Sequence, residues 1–138
     1  MELRTLLNIY HTHSSLQSAS HTVLKPFKIS VQQFNILRIL RGQKGEPISV
    51  SDITDRMLDK MSNTSRLIEK LRSKGLLERR ECPQDRRRAE VLPTEEGLRI
   101  VNEASREMEA KIEQRLKVLS PEDLTVLNQI LDKLNTNN

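Results

Sequence analysis

The feature that most constrains this chain is a helix-start signature that recurs four times in 138 residues. At the first, the Ser30 hydroxyl can cap the amides of the following turn while Gln33 reaches back to the Ser30 amide. Ile29 and Phe34 flank that pair as a hydrophobic staple. Ser49 and Asp52, bracketed by Ile48 and Ile53, repeat the design. Thr94 opens a third start, with Glu95 and Glu96 suited to the positive end of the helix dipole. Ser120-Pro121-Glu122-Asp123 opens a fourth, with proline at the first helical position and Leu119 and Leu124 as staple. Such marks predict a mainly α chain. Composition supports this: four glycines, five prolines and 2% aromatic residues argue against a β-sandwich or barrel.

Between the second and third starts, Ile48 to Gly97 carries a denser pattern. A short helix is followed by a second over residues 60–74, stopped by Lys74-Gly75. Two strand-like runs follow, Leu76–Arg80 and Ala89–Leu92, joined by a polar, arginine-rich tip. Helix, helix and charged hairpin outline a winged helix-turn-helix lobe, a shape that places one helix in a DNA major groove. The flanks are helical and differently built. Residues 1–25 carry an uneven stripe (Leu3, Leu6, Leu7, Tyr10, Leu16, Leu24) too polar for a central core helix, ended by Pro26. Leu98, Val101, Ser105, Met108 and Ile112 space a long amphipathic helix from Thr94 to Leu119. Leu124, Leu127, Ile130, Leu131 and Leu134 mark a last one, followed by a frayed polar TNTNN tail. The expected organisation of residues 1–138 is one domain: a winged helix-turn-helix lobe over 29–97 and a helical dimerisation layer from 1–25 and 98–135.

The net charge of +4 is modest, but between Lys60 and Arg88 ten Lys/Arg face four Asp/Glu. Phosphate contacts act within about 8–10 Å, so this local excess matters more than the total. On a helical wheel of 60–74, Thr64, Leu67, Ile68 and Leu71 gather on the packing side. Ser62, Arg66, Glu69, Lys70 and Ser73 lie opposite, with Asn63 and Ser65 on the flanks. Arginine can grip guanine through two hydrogen bonds and asparagine adenine, while small hydroxyls let a helix sit deep in the groove. Glu69 is discordant there unless it orients Arg66 or Lys70 or accepts from a cytosine amino group. At the tip, Arg86, Arg87 and Arg88 can neutralise phosphates or enter a narrow minor groove, with Asp85 placed to hold the Arg87 side chain. A solvated surface turn is the alternative for an isolated DRRR.

Other classes are poorly supported. The sequence holds no glycine-rich phosphate loop, no HExxH and no paired CxxC, so no catalytic residue, cofactor or metal ligand is expected. Cys82 is the single cysteine, which points to a reducing, cytoplasmic setting without an intrachain disulfide. His11 and His13 would point to different faces of a helix, a poor metal geometry. No run reaches the ~20 apolar residues that a membrane span needs.

The residues from Ile29 to Gly97 resemble the MarR family of winged-helix transcriptional regulators. The SDITDRM helix, SNTSRLIEKLRSKGLLERR, and DRR followed by a short strand and TEEG carry the likeness. Thr64, Ala89 and Pro93 depart from the family's usual larger or apolar residues. The resemblance implies that Ser62, Asn63, Ser65 and Arg66 lie in the recognition helix, with Lys70 on the same face. It also implies that Asp85 orients Arg87 and that Arg87 enters the minor groove. A homodimer repressing transcription from a pseudo-palindromic site on double-stranded DNA is the implied function. A small aromatic or phenolic effector could release it, and Tyr10, His13 and Phe34 are candidates to line its pocket. The competing readings are a winged-helix protein-interaction module that does not read DNA, and a redox- or metal-responsive DNA-binding sensor.

Overall fold

In the computed structural model, residues 1–59 and 61–136 are described. Lys60, the expected start of the second lobe helix, and the Asn137–Asn138 end of the polar tail lie outside them. Six α-helices and a small sheet follow in the order α1 (Glu2–Leu24), a 3-10 turn (Lys25–Phe27), α2 (Val31–Gly42), β1 (Ile48–Ser49), α3 (Val50–Arg56), α4 (Thr64–Ser73), β2 (Leu77–Glu81), β3 (Ala89–Pro93), α5 (Glu95–Leu116) and α6 (Pro121–Thr136). The chain divides into two compact units, Met1–Glu107 and the residues from Met108 onward, with the boundary inside α5.

All four expected helix starts form. Ser30 Oγ accepts from the Gln33 amide while Gln33 Oε1 accepts from the Ser30 amide, a complete capping box. Ser49 Oγ accepts from the Asp52 amide, and Thr94 Oγ1 from that of Gly97. Ser120 and Asp123 close the second reciprocal box. Each such cap contributes about 1 kcal/mol by satisfying amides the helix leaves open.

The core of the first unit is aliphatic. Leu24, Ile36, Leu37, Leu40, Ile53, Met57, Ile68, Leu71, Val91 and Val101 are almost completely buried. They come from α1 to α5, the end of α3 and β3, so the flanking helices α1 and α5 contribute to the core beside the helices of the expected 29–97 lobe. Pro26 turns the chain without a break: the 3-10 turn ends at Lys28, which takes the left-handed conformation (φ 57°).

The sheet is three-stranded, in the order β1-β3-β2, and antiparallel throughout. The two-residue β1 is not expected from sequence; Ile48 pairs with Val91 and Ser49 with Glu90. Pro93 ends β3 opposite Leu77. The long helix α5 ends at Leu116, three residues short of the expected Leu119.

One glycine is fixed by close approach. A Cβ on Gly97 would run into the backbone carbonyl of Leu76, at the base of the hairpin. Gly42, the last residue of α2, has nothing within 4 Å of its would-be Cβ. Gly97→Ala is therefore expected to lower stability by about 1–3 kcal/mol. Gly42→Ala should be neutral or stabilising by up to about 1 kcal/mol. Urea denaturation of both variants beside the parent chain checks the pair.

Candidate nucleic-acid interface

The second lobe helix begins later than its sequence pattern suggests. α4 starts at Thr64, and Asn63 is its N-cap: the side-chain oxygen Oδ1 accepts from the Arg66 amide at 3.2 Å. Ser62 and Asn63 therefore precede the helix instead of riding on it. No glutamate or glutamine stands three residues after Asn63, so the reciprocal signature of a capping box is missing there. The capping oxygen of Asn63 is occupied, which leaves the amide NH2 as the group able to meet a base edge.

From Thr64 onward the helical wheel holds. Thr64, Ile68 and Leu71 are buried, Leu67 is half-buried, and Ser65, Arg66, Glu69, Lys70 and Ser73 are exposed. Gly75 ends the helix in the left-handed conformation (φ 72°). The Leu76 amide donates to the Leu71 carbonyl at 3.0 Å and the Gly75 amide to that of Arg72 at 2.9 Å. This double closure is a Schellman motif, and the buried Leu71 and Leu76 supply its apolar contact. Glu69 is paired with Arg72 at 3.3 Å, not with Arg66 or Lys70. Arg66 and Lys70 are thus left to whatever approaches.

Those two side chains line an open hollow of about 770 Å³ with Ser62, Asn63, Gln32 and Lys74. Lys74 Nζ donates to the Lys28 carbonyl at its edge. Ser62 Oγ and Thr64 Oγ1 have no hydrogen-bond partner among the described residues, although both atoms are buried. Thr64 is 4% exposed and sits where an apolar side chain would pack as well.

The hairpin tip spans residues 83–87 between Cys82 and Arg88, whose backbone closes it: the Cys82 amide donates to the Arg88 carbonyl at 2.9 Å. Asp85 acts here through the backbone. Its Oδ1 accepts from the Arg87 amide at 3.0 Å and its carbonyl from the Arg88 amide at 2.9 Å. The expectation that it grips the Arg87 side chain is corrected accordingly: a short aspartate reaches the amide two residues on more readily than a guanidinium. Asp85 still shapes the tip, leaving the side chains of Arg86 and Arg87 exposed.

Arg88 differs from its neighbours. Its Nη2 donates to Ser49 Oγ and to Asp52 Oδ2, both at 3.2 Å, so it belongs to the body of the lobe and not to the free tip. The sequence places it beside Arg86 and Arg87 as a phosphate contact; here part of its guanidinium is taken by Ser49 and Asp52. Arg72 and Arg79, not among the expected contacts, border a cleft of about 320 Å³ with Arg80, Glu81, Arg86, Arg87 and Arg88. Arg80 is partly neutralised across the strands by Glu90, at 3.5 Å.

The other candidates scatter. Phe34 is buried core with the Arg38 guanidinium 5.7 Å above its ring, whereas Tyr10 and His13 are exposed on α1. Cys82 is buried at the foot of the tip. Among the described residues, no three His, Cys, Asp or Glu side chains gather closely enough to hold a metal ion, and no helix is long and apolar enough to cross a membrane. The Asn63 cap gives a direct check on the α4 boundary. Asn63→Ala should lose about 1 kcal/mol of folding stability, whereas Asn63→Asp should retain it, as read by urea denaturation.

Comparison with known proteins agrees with this geometry. The MarR family model matches residues 27–88. The HTH-type transcriptional regulator PecS of Dickeya dadantii is 30% identical over 124 residues, covering 86% of this chain and 72% of PecS. Among solved structures, a mutant of MarR from E. coli complexed with operator DNA superposes with a TM-score of 0.84 at 22% identity, covering 96% of this chain and 95% of that one. Bordetella bronchiseptica BpsR, whose DNA binding is regulated by 6-hydroxynicotinic acid, gives a TM-score of 0.82 at 22% identity over 92% of this chain and 89% of that one. An arginine-bearing helix, an arginine-tipped hairpin and these likenesses converge: the chain belongs to the MarR family of winged helix-turn-helix transcriptional regulators.

Proposed function

We propose that this regulator represses transcription as a homodimer on a pseudo-palindromic operator, with α4 of each copy in successive major grooves about 34 Å apart. The observation that carries the reading is the pairing of two cationic groups on one lobe. Arg66 and Lys70 stand exposed on the outward face of α4, and Arg86 and Arg87 are presented at the wing tip. In this reading Arg66 meets a base edge, with Ser65 and the Asn63 amide beside it. Lys70 contacts phosphate, Ser62 shapes the turn before the helix with its hydroxyl turned inward, and Arg87 enters the flanking minor groove with Arg86 on the backbone.

The dimerisation layer is assigned to 1–25 and 98–135 on the strength of apolar surface. Leu3, Leu6, Leu7 and Tyr10 on α1 are exposed, and so are Val126, Leu127, Ile130 and Leu134 on α6. Stripes of this kind on a monomer mark surfaces that a partner covers. Release by a small aromatic acid or phenol follows the example of BpsR and 6-hydroxynicotinic acid. Such a ligand would act by favouring one spacing of the two lobes. A cytoplasmic regulator without catalytic activity is the corresponding cellular role.

Selection of bound fragments from a genomic library tests the whole reading and yields the operator. On the selected site, Arg66→Ala is expected to weaken binding by about 1–3 kcal/mol and to relax the preference at one base pair. Arg87→Ala should weaken binding and abolish protection in the flanking minor groove. Removing a cation that neutralises one phosphate should flatten the plot of log affinity against log salt by about one unit. Unchanged binding in both variants would refute the contact assignment. Light scattering at micromolar concentration should return twice the chain mass; a monomer there would refute the two-half-site arrangement.

A further inference from the structure

The three tip arginines are not equivalent, and the difference lies in what Arg88 holds. β1 has only two residues, and its last pair with β3 is Ser49 with Glu90. Beyond that rung the hairpin has no further strand pairing with β1. The Arg88 side chain supplies an attachment there: its Nη2 bridges Ser49 Oγ and Asp52 Oδ2, from a position two residues nearer the tip than the last rung. Ser49 Oγ also accepts from the Asp52 amide, so the guanidinium docks on the capped first turn of α3. On its backbone side, Arg88 closes the tip by accepting from the Cys82 amide and donating to the Asp85 carbonyl. One residue therefore joins the far end of the wing to α3, and α3 packs against α4.

We propose that Arg88 is a positioning residue, not a DNA ligand: with Asp52 and Ser49 it forms a strap that fixes the wing tip relative to the recognition helix. This rests on the DNA-binding reading above. Half-exposed ion pairs of this kind add little to folding, so the strap's consequence is geometric. It holds Arg86 and Arg87 at one reach, lowering the ordering cost of wing engagement when DNA arrives.

The sign of one substitution separates the two roles. If Arg88 contacted phosphate, Asp52→Asn would remove a nearby negative charge, free the guanidinium and tighten binding. If the strap positions the wing, Asp52→Asn loosens the tip and weakens binding. The experiment measures affinity and its salt dependence for Arg88→Ala, Arg88→Lys, Asp52→Asn and the Arg88→Ala/Asp52→Asn pair. The probe is a duplex selected by the parent chain from a random-sequence library.

Arg88→Ala and Asp52→Asn are each expected to weaken binding about five- to tenfold, with the double variant no weaker than the singles to within about twofold. The salt slope should stay unchanged. Hydroxyl-radical protection of the flanking minor groove should fade while methylation protection of major-groove guanines persists. Arg88→Lys, whose ammonium can bridge only in part, should fall between. Circular dichroism melting confirms that each variant is folded, and Asp52→Asn alone decides the sign should Arg88→Ala unfold. Tighter binding by Asp52→Asn, a salt slope about one unit flatter in Arg88→Ala, or parental affinity in all variants would overturn the strap. A parent chain that selects no sequence would overturn the regulator reading itself, before any variant is compared.

Discussion

One backbone carbonyl, that of Leu76, holds the lobe together. Leu76 ends the Schellman closure of α4 through its amide, and its carbonyl accepts from the Thr94 amide at 3.2 Å. Thr94 Oγ1 adds a bond to the neighbouring Gly75 carbonyl at 2.7 Å and caps α5 by accepting from Gly97. The close approach this requires leaves no room for a side chain at Gly97. The end of the recognition helix, the base of the wing and the start of α5 are thus fixed within one cluster of backbone contacts. Because α5 also contributes Val101 and Ala104 to the core, the orientation of the hairpin is inherited from the same aliphatic interior that seats α4.

Electrostatics then sorts cations that the sequence presents as a uniform run. Arg72 is engaged by Glu69, Arg80 by Glu90 and Arg88 by Asp52. Arg66, Lys70, Arg86 and Arg87 stay exposed on α4 and at the wing tip. Within the wing and α4, carboxylates thus engage three arginines that remain about half exposed, and leave others, such as Arg66, Lys70, Arg86 and Arg87, without such a partner among the described residues. Local net charge locates this surface, but only the pairing shows which members are available to a polyanion.

What the sequence discloses is local in character. Caps at Ser30, Ser49, Thr94 and Ser120 involve partners three residues away, so spacing alone reveals them. The buried stripe of α4 follows from the helical period, and the Gly75 stop from the left-handed conformation that glycine adopts freely. Contacts between distant segments are not legible. β1 is too short to carry an alternating pattern, and the reach of Arg88 to Asp52 spans 36 positions. Asn63 escapes for a different reason. Ser62, Asn63 and Ser65 are all competent caps, and the choice among them is made by burial of Thr64, a tertiary effect. Asp85 looks like a side-chain partner of Arg87 because sequence distance does not distinguish an amide from a guanidinium.

The length of α4 limits what one copy can know. Ten residues extend about 15 Å, which at about 3.4 Å per base pair faces roughly four base pairs. Four positions recur by chance about once in every few hundred base pairs, whereas a genome offers about a million or more competing sites. A single lobe is therefore information-poor however tightly it grips phosphate. Reading the same short word twice, at a fixed phase of the double helix, would sharpen that to about one site in tens of thousands without adding a residue to the helix. The brevity of α4 is thus a limit on reading: the base pairs that one such helix faces are too few to address one place on a chromosome.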